Sequence, residues 1–148
     1  MMAKFQQEFL STVIDEIRPL LQEDWDEIGD DHLPLDPDFE GYEELEVRNL
    51  LRIFTARVDG TLVGYFVVIY VPSLQSKGLL LAINDTIFIS KDYRGKMLGA
   101  RLFKFAEQCV KEDGFERMYV VVTEKNDIGD NLVGMGYNKI ETRYEKVL

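Results

Sequence analysis

The sequence predicts an α/β domain built on a mixed, mostly antiparallel central sheet with helices on both faces. Three observations carry this. Apolar residues recur at helical spacing near the start of the chain, and Asp59-Gly60 joins two β-rich arms. A third segment, Asp85 to Gln108, reads as strand, short glycine-containing loop and helix. The 148 residues, 46% of them hydrophobic, are enough for one domain spanning 1–148 around its own core.

The elements follow in order. Phe5, Phe9, Leu10, Val13, Ile14, Ile17, Leu20 and Leu21 lie on one side of a first amphipathic helix, which Pro19 is expected to bend or end. The tract from Glu23 to Glu46 is rich in acid and holds no lysine or arginine, and Pro34 and Pro37 make part of it irregular. A short helix is expected over Phe39–Asn49, with Phe39, Tyr42 and Leu45 or Glu46 on one side. Asp59-Gly60 is a two-residue hairpin signal, because both turn positions favour positive φ. The arm after it is almost wholly apolar, so it belongs at the centre of a sheet, buried on both faces. Ser73–Gly78 reads as a loop and Leu79–Ile89 as a third strand. Leu98, Leu102, Phe105 and Cys109 share one face of the next helix, and Gly114 suits its C-terminal cap. A buried strand over Phe115–Thr123, a short helix over Asn126–Met135 and a last strand over Asn138–Leu148 complete the order.

Composition excludes several classes. No apolar run reaches the ~18 residues that a bilayer-spanning helix needs. Met1–Gln7 holds one lysine and no apolar core of a signal peptide, which points to the cytoplasm. A single cysteine, Cys109, precludes an internal disulfide and suits a reducing compartment. With one histidine, His32, a zinc site or a Cys–His pair has no basis. Twenty-seven acidic residues against 17 basic ones, a net charge of −10, argue against nucleic acid; the surplus acid either simply keeps a small domain soluble or attracts cationic partners.

The chemistry concentrates in Asp85–Gln108. A helix start leaves backbone N–H groups unpaired, and the helix dipole favours negative charge there. Gly95 and Gly99 let an anion approach the backbone, while Arg94 and Lys96 add positive charge. The segment therefore reads as a phosphate cradle. It lacks the Gly-Lys-Ser/Thr of a P-loop and the Gly-x-Gly-x-x-Gly of a dinucleotide site.

Tyr93-Arg94-Gly95-Lys96-Met97-Leu98-Gly99-Ala100 resembles the coenzyme signature of the GNAT superfamily of N-acetyltransferases, Gln/Arg-x-x-Gly-x-Gly/Ala, with Met97 where the family usually has its middle glycine. Leu62-Val63-Gly64-Tyr65, Ile87-Phe88-Ile89, Asn126 and Met135-Gly136-Tyr137 extend the resemblance over nearly the whole chain. A fainter likeness, to phage-encoded acetyltransferase-like proteins, rests on Trp25–Ile28, Pro34–Asp38 and Tyr144-x-Lys146; it would place the chain in a host cytoplasm.

The resemblance implies acetyl-coenzyme A as donor, held by Arg94, Gly95, Lys96, Met97, Leu98, Gly99, Ala100 and Asn126. It implies a backbone N–H near Phe88 or Ile89 to polarise the thioester, and direct transfer to an amine. A lysine-like amine (pKa ~10.4) is almost fully protonated at neutral pH, so a carboxylate must take its proton. Asp85, in an apolar strand, is the first candidate; Glu124 and Asp127 follow. The acidic tract suits a cationic acceptor, either a small molecule or a basic protein segment. Trp25, Phe39 and Tyr42 either line its pocket or pack, and a homodimer stays open. The family often places a proton-donating tyrosine where this chain has Leu132 or Val133. Tyr137 reads as packing, His32 as a surface residue and Cys109 as a buried small hydrophobe. The alternative is a non-catalytic module that binds coenzyme A or displays an acidic interaction surface.

Overall fold

Asp59 (φ 49°) and Gly60 (φ 85°) both take positive φ and close a tight hairpin between β2 (Leu51–Val58) and β3 (Thr61–Pro72). The computed structural model describes residues 2–148. Its sheet has the order β1-β2-β3-β4-β5, with β1 at Ala3–Gln7, β4 at Leu80–Ile89 and β5 at Met118–Tyr119. The first four strands are antiparallel and β5 runs parallel to β4. β3 is the middle strand and its interior residues are buried, as its unbroken apolar run predicts.

Alternation divides the core between two faces. Leu51, Ile53, Tyr65, Val67 and Phe88 pack against Leu10, Val13, Ile17 and Leu20 of α1 (Leu10–Ile28), with α2 (Phe39–Val47) beside them. Phe54, Ala56, Phe66 and Val68 pack against α3 (Leu98–Glu112), and Leu132 of the short α4 (Gly129–Gly134) joins them.

Six expectations need correction. Phe5 lies in β1 opposite Ala56, and Phe9 precedes the helix with 67% exposure. The run over 5–21 thus joins an edge strand to a helix. Pro19 does not end α1, which continues to Ile28. Its ring is exposed, so the Asp15 carbonyl it leaves without a donor can take water instead. On α3 the buried stripe is Leu98, Leu102, Phe103, Ala106 and Val110, while Phe105 and Cys109 are only half-buried at its margin. β5 has two residues rather than nine, and Val121 is 53% exposed. Residues 138–148 form no strand. The short helix over 126–135 also resolves into a 3₁₀ turn, Glu124–Asn126, followed by α4.

Candidate functional site

β4 and β5 part company after one step. Ala82 pairs with Met118 and Ile83 with Tyr119, and no pairing follows. The next β4 residue, Asn84, fills the gap with its side chain: Oδ1 accepts the Val121 N–H (2.6 Å) and Nδ2 donates to the Val121 carbonyl (3.1 Å). Asn84 is 9% exposed, so it acts as a buried spacer. On the other edge, Val67 faces Thr86 and Val68 faces Asn84, which leaves Asp85 as the extra residue of a β-bulge. Beyond it, Ile87–Ile89 are free on the β5 side. The Ser90 N–H donates to the Val63 carbonyl at 2.8 Å, so Ile89, opposite Gly64, sits at a non-hydrogen-bonded position of that ladder. Alternation therefore turns the N–H groups of Ile89 and Ile87 toward the gap, and the Phe88 N–H toward β3. Phe88 contributes its side chain to the gap; its amide does not face it.

The gap is a groove of about 290 Å³ that runs from Ile87–Ile89 to the loop before α3. Lys91–Tyr93 make a 3₁₀ turn, Gly95 has φ 79° and Met97 has φ 62°, ψ 14° just before α3 starts. The family's usual glycine belongs at a left-handed position such as Met97. The methionine adopts it with its side chain 72% exposed. In α3 the Arg101 N–H reaches the Met97 carbonyl (3.1 Å), while Leu98, Gly99 and Ala100 have no earlier turn to bond to. A Cβ on Gly99 would come no closer than 3.9 Å to Ile89, so the backbone is open there. Free donors at a 15-residue helix start, beside Lys96, suit the pyrophosphate of coenzyme A, and the groove suits its narrow arm.

The last turns of α1 close the other side. Glu23 accepts from Ser90 Oγ (3.1 Å) and the Lys91 N–H (3.1 Å), which fixes the loop. Glu27 pairs with Arg94 at 2.8 Å, while Arg94 Nε donates to the Ile89 carbonyl (2.8 Å). Between them Asp24 is 8% exposed. Its Oδ2 accepts the hydroxyls of Tyr65 and Thr86, each at 3.1 Å. Its Oδ1 has no protein partner, yet no fully buried side-chain polar atom is left unpaired among the described residues. That oxygen therefore reaches solvent, and the groove is the opening Asp24 lines. Burial pushes the Asp24 carboxyl above its ordinary range, with Glu27 adding to the shift and the Tyr65 and Thr86 hydroxyls and Arg94 opposing it.

Of the expected coenzyme residues, Phe88, Ile89, Arg94, Gly95, Met97, Leu98, Gly99 and Asn126 line the groove; Lys96 and Ala100 belong to the same loop and helix start without lining it. Asp85 and Glu124 lie outside the lining and are exposed. The premise that Asp85 is buried fails, because the bulge turns it outward, where the Tyr42 hydroxyl donates to it at 2.6 Å. Asp127 caps its own turn by accepting the Gly129 N–H. Leu132 is in the core and Val133 is 62% exposed, and neither lines the groove. Tyr137 packs edge-on to Phe103 and donates to Glu107 (3.0 Å). His32 is exposed, and burial raises the Cys109 thiol. Trp25 packs against Gly29, and Phe39 lies under the Arg18 guanidinium.

Asp24 and Glu27 were hidden in the acidic tract. The signal was present all the same: Leu10, Val13, Ile17 and Leu20 keep a 3-4-3 spacing, and one more step of four reaches Asp24. A carboxylate at the next position of a buried stripe asks for a reason.

An anion cradle at a helix start, opening along a strand that has lost its neighbour, defines an acyl-coenzyme A-dependent transferase. The model of the acetyltransferase (GNAT) family matches residues 14–137, and the chain belongs to that family: it is an N-acetyltransferase that uses acetyl-coenzyme A. No curated protein matches it. Among solved structures it is similar to the ribosomal-protein-alanine N-acetyltransferase of Brucella melitensis biovar Abortus 2308 (21% identity, TM-score 0.75, 100% of this chain and 99% of that one). It is also similar to an aminoglycoside acetyltransferase from an uncultured soil sample in complex with sisomicin (18%, 0.74, 99% and 96%). A third, from Clostridium acetobutylicum, is a predicted acetyltransferase with acetyl-coenzyme A (11%, 0.74, 99% and 96%). At these identities the likeness is one of fold. The likeness to phage-encoded proteins gains no support from these matches. No helix of the described residues is long and apolar enough to cross a membrane.

Proposed function

We propose that the chain acetylates a primary amine of a small cationic molecule or of a protein by direct transfer, and that Asp24 takes the amine's proton. One observation carries the proposal: a single groove joins an anion receptor at the start of α3 to two carboxylates, Asp24 and Glu27, at the end of α1. Acetyl-coenzyme A supplies the acetyl group as a thioester. The backbone amides at Leu98–Ala100, with Lys96, hold its phosphates, and the N–H groups of Ile87 and Ile89 are free donors for a carbonyl oxygen. Asp24 Oδ1 faces the acceptor and carries its proton to water, while Glu27, ion-paired with Arg94, fixes the loop beside it. Asp85, one bulge away with Tyr42 on it, is placed to hold a second cationic group. Val133 and Leu132 offer no proton to the departing thiolate, which needs none at a thiol pKa of ~8.5. The fold is used elsewhere for cationic acceptors, as in the sisomicin complex.

The test is thiol release from acetyl-coenzyme A against a panel of amines and basic peptides. Release above the acceptor-free rate on cationic amines supports the reading. Coenzyme binding with no release on any acceptor would select a non-catalytic binding module.

A further inference from the structure

The two walls of the groove are supported unequally. The β4 wall has β3 paired beside it along its whole length. The wall after β5 loses that support early. Its last tie to β4 is the Asn84 amide on Val121, and the groove-lining residues of this wall, Asn126 and Ile128, come well after that tie. Between those points the backbone bonds only to its own turn. The Lys125 N–H reaches Thr123 Oγ1 (3.1 Å), and the Asn126 N–H reaches the Thr123 carbonyl (3.1 Å).

One side chain of this stretch crosses to α1. Lys125 Nζ donates to the Gly29 carbonyl (2.7 Å) and lies 3.3 Å from Asp31. Gly29 is the C-terminal cap of α1, a 19-residue helix with no basic residue in its last turn. The negative end of the helix dipole is thus left for a cation from elsewhere, and Lys125 supplies it from the opposite wall. Trp25 holds the same point from within α1, its indole lying so close to Gly29 that a Cβ there would run into the ring. The helix end that carries Asp24 is therefore fastened on both sides. Glu27 ties it to Arg94 at the β4 side, and Gly29 ties it to Lys125 at the other.

We infer that Lys125 is a positioning residue that sets the width of the groove. It holds Asn126 and Ile128 against the end of α1, at the spacing that grips the narrow arm of the coenzyme beside Asp24. It acts through the wall and not on the coenzyme's phosphates. Its side chain is 44% exposed, so the tie is too weak to decide whether the domain folds, yet sufficient to bias a loosely held wall toward closure. The inference rests on the reading that the arm lies in this groove.

Titration with coenzyme A and with pantetheine, which lacks every phosphate, tests it. Trp25 fluorescence is the readout, because the single tryptophan sits on Gly29. Lys125→Met keeps the aliphatic stem and should melt within about 2 °C of the parent. It should weaken both ligands by the same factor, about five- to tenfold, the worth of one charged hydrogen bond. Lys125→Arg should restore both to within about twofold, and Asp31→Asn, at an 85% exposed partner, should change neither by more than that. Gly29→Ala displaces the accepting carbonyl from the other end and should reproduce the loss, with no further loss in the double variant. A loss confined to coenzyme A would make Lys125 a phosphate contact and overturn the inference. Unchanged pantetheine affinity, or additive losses in the double variant, would overturn it as well. Hydrogen exchange in the parent protein checks the groove reading separately: if coenzyme A leaves the Ile87 and Ile89 amides unprotected, both readings fall, whereas protection with unaltered affinities sinks this one alone.

Discussion

Replacing Asp24 by asparagine keeps shape and hydrogen bonding while removing charge. Both hydroxyl donors, Tyr65 and Thr86, reach Oδ2, and an amide oxygen can accept both as well. What changes is the group that faces the groove, from a carboxylate oxygen to an NH₂. A lysine-like amine at pH 7 lies ~3.4 units below its pKa, so about one molecule in 2,500 is neutral. With no base, turnover should fall by ~10² to 10³ at pH 7. The deficit should shrink about tenfold per pH unit as the free amine fills in, until near pH 10 the two proteins converge. Stability should move the other way. Burial places the folded-state carboxyl above its ordinary value of 3.8, so the folded form binds more protons across that window. Stability from this group is present below 3.8 and lost as pH rises through the folded value. The asparagine protein should thus melt higher than its parent at pH 7 and lose that advantage below pH 4. Thiol-release kinetics from pH 6 to 10, beside melting curves, read both effects. A loss of turnover that is the same at every pH would refute the base assignment, and a larger loss in Asp85→Asn would move the base to Asp85.

Four further outcomes follow from the same geometry. Gly99→Glu should fold, because the nearest atom to its Cβ is 3.9 Å away, yet lose coenzyme binding by calorimetry, since it sets a negative charge in the phosphate cradle. Met97→Gly should raise the melting temperature by about 1–4 °C. Relief of ~1–2 kcal/mol of left-handed strain outweighs ~0.5–1 kcal/mol of added chain entropy, and the side chain is already largely exposed. Tyr137→Phe should keep turnover within about twofold while costing ~1 kcal/mol in denaturant unfolding, because its hydroxyl serves Glu107 and not the groove. Arg57→Met should lower the melting temperature at pH 7 and flatten its fall in acid. Arg57 holds the Glu16 carboxyl below its usual 4.5, and for Glu8 it outweighs, with Thr55, the opposing effect of burial. That stability is present above 4.5 and lost as pH falls through the lowered values.

Local chemistry explains what the sequence disclosed. The hairpin is legible because Asp59-Gly60 is a two-residue solution to a backbone demand, and the anion cradle because Arg94–Ala100 is contiguous. β1 was not legible, since Phe5 and Phe9 fit a helical period by chance and only pairing with β2 shows otherwise. Pro19 masked the length of α1, and with it Asp24 and Glu27. The role of Asp85 could not be read because a bulge is a property of two strands in register, and it reversed the direction of one side chain. The β5 and 138–148 patterns are strand-like in sequence, but a strand exists only where a neighbour supplies hydrogen bonds.

Asn84 has a thermodynamic meaning for the donor's arrival. Two strands left to themselves would zip further, and a guest would then have to unzip them, forfeiting about 1 kcal/mol net for each backbone bond broken. The amide of Asn84 satisfies Val121 in the rung where pairing would have continued, so the parted strands are already at rest. The receptor is thus shaped before anything enters it. Binding energy that would otherwise go into rearranging the host stays in the measured affinity.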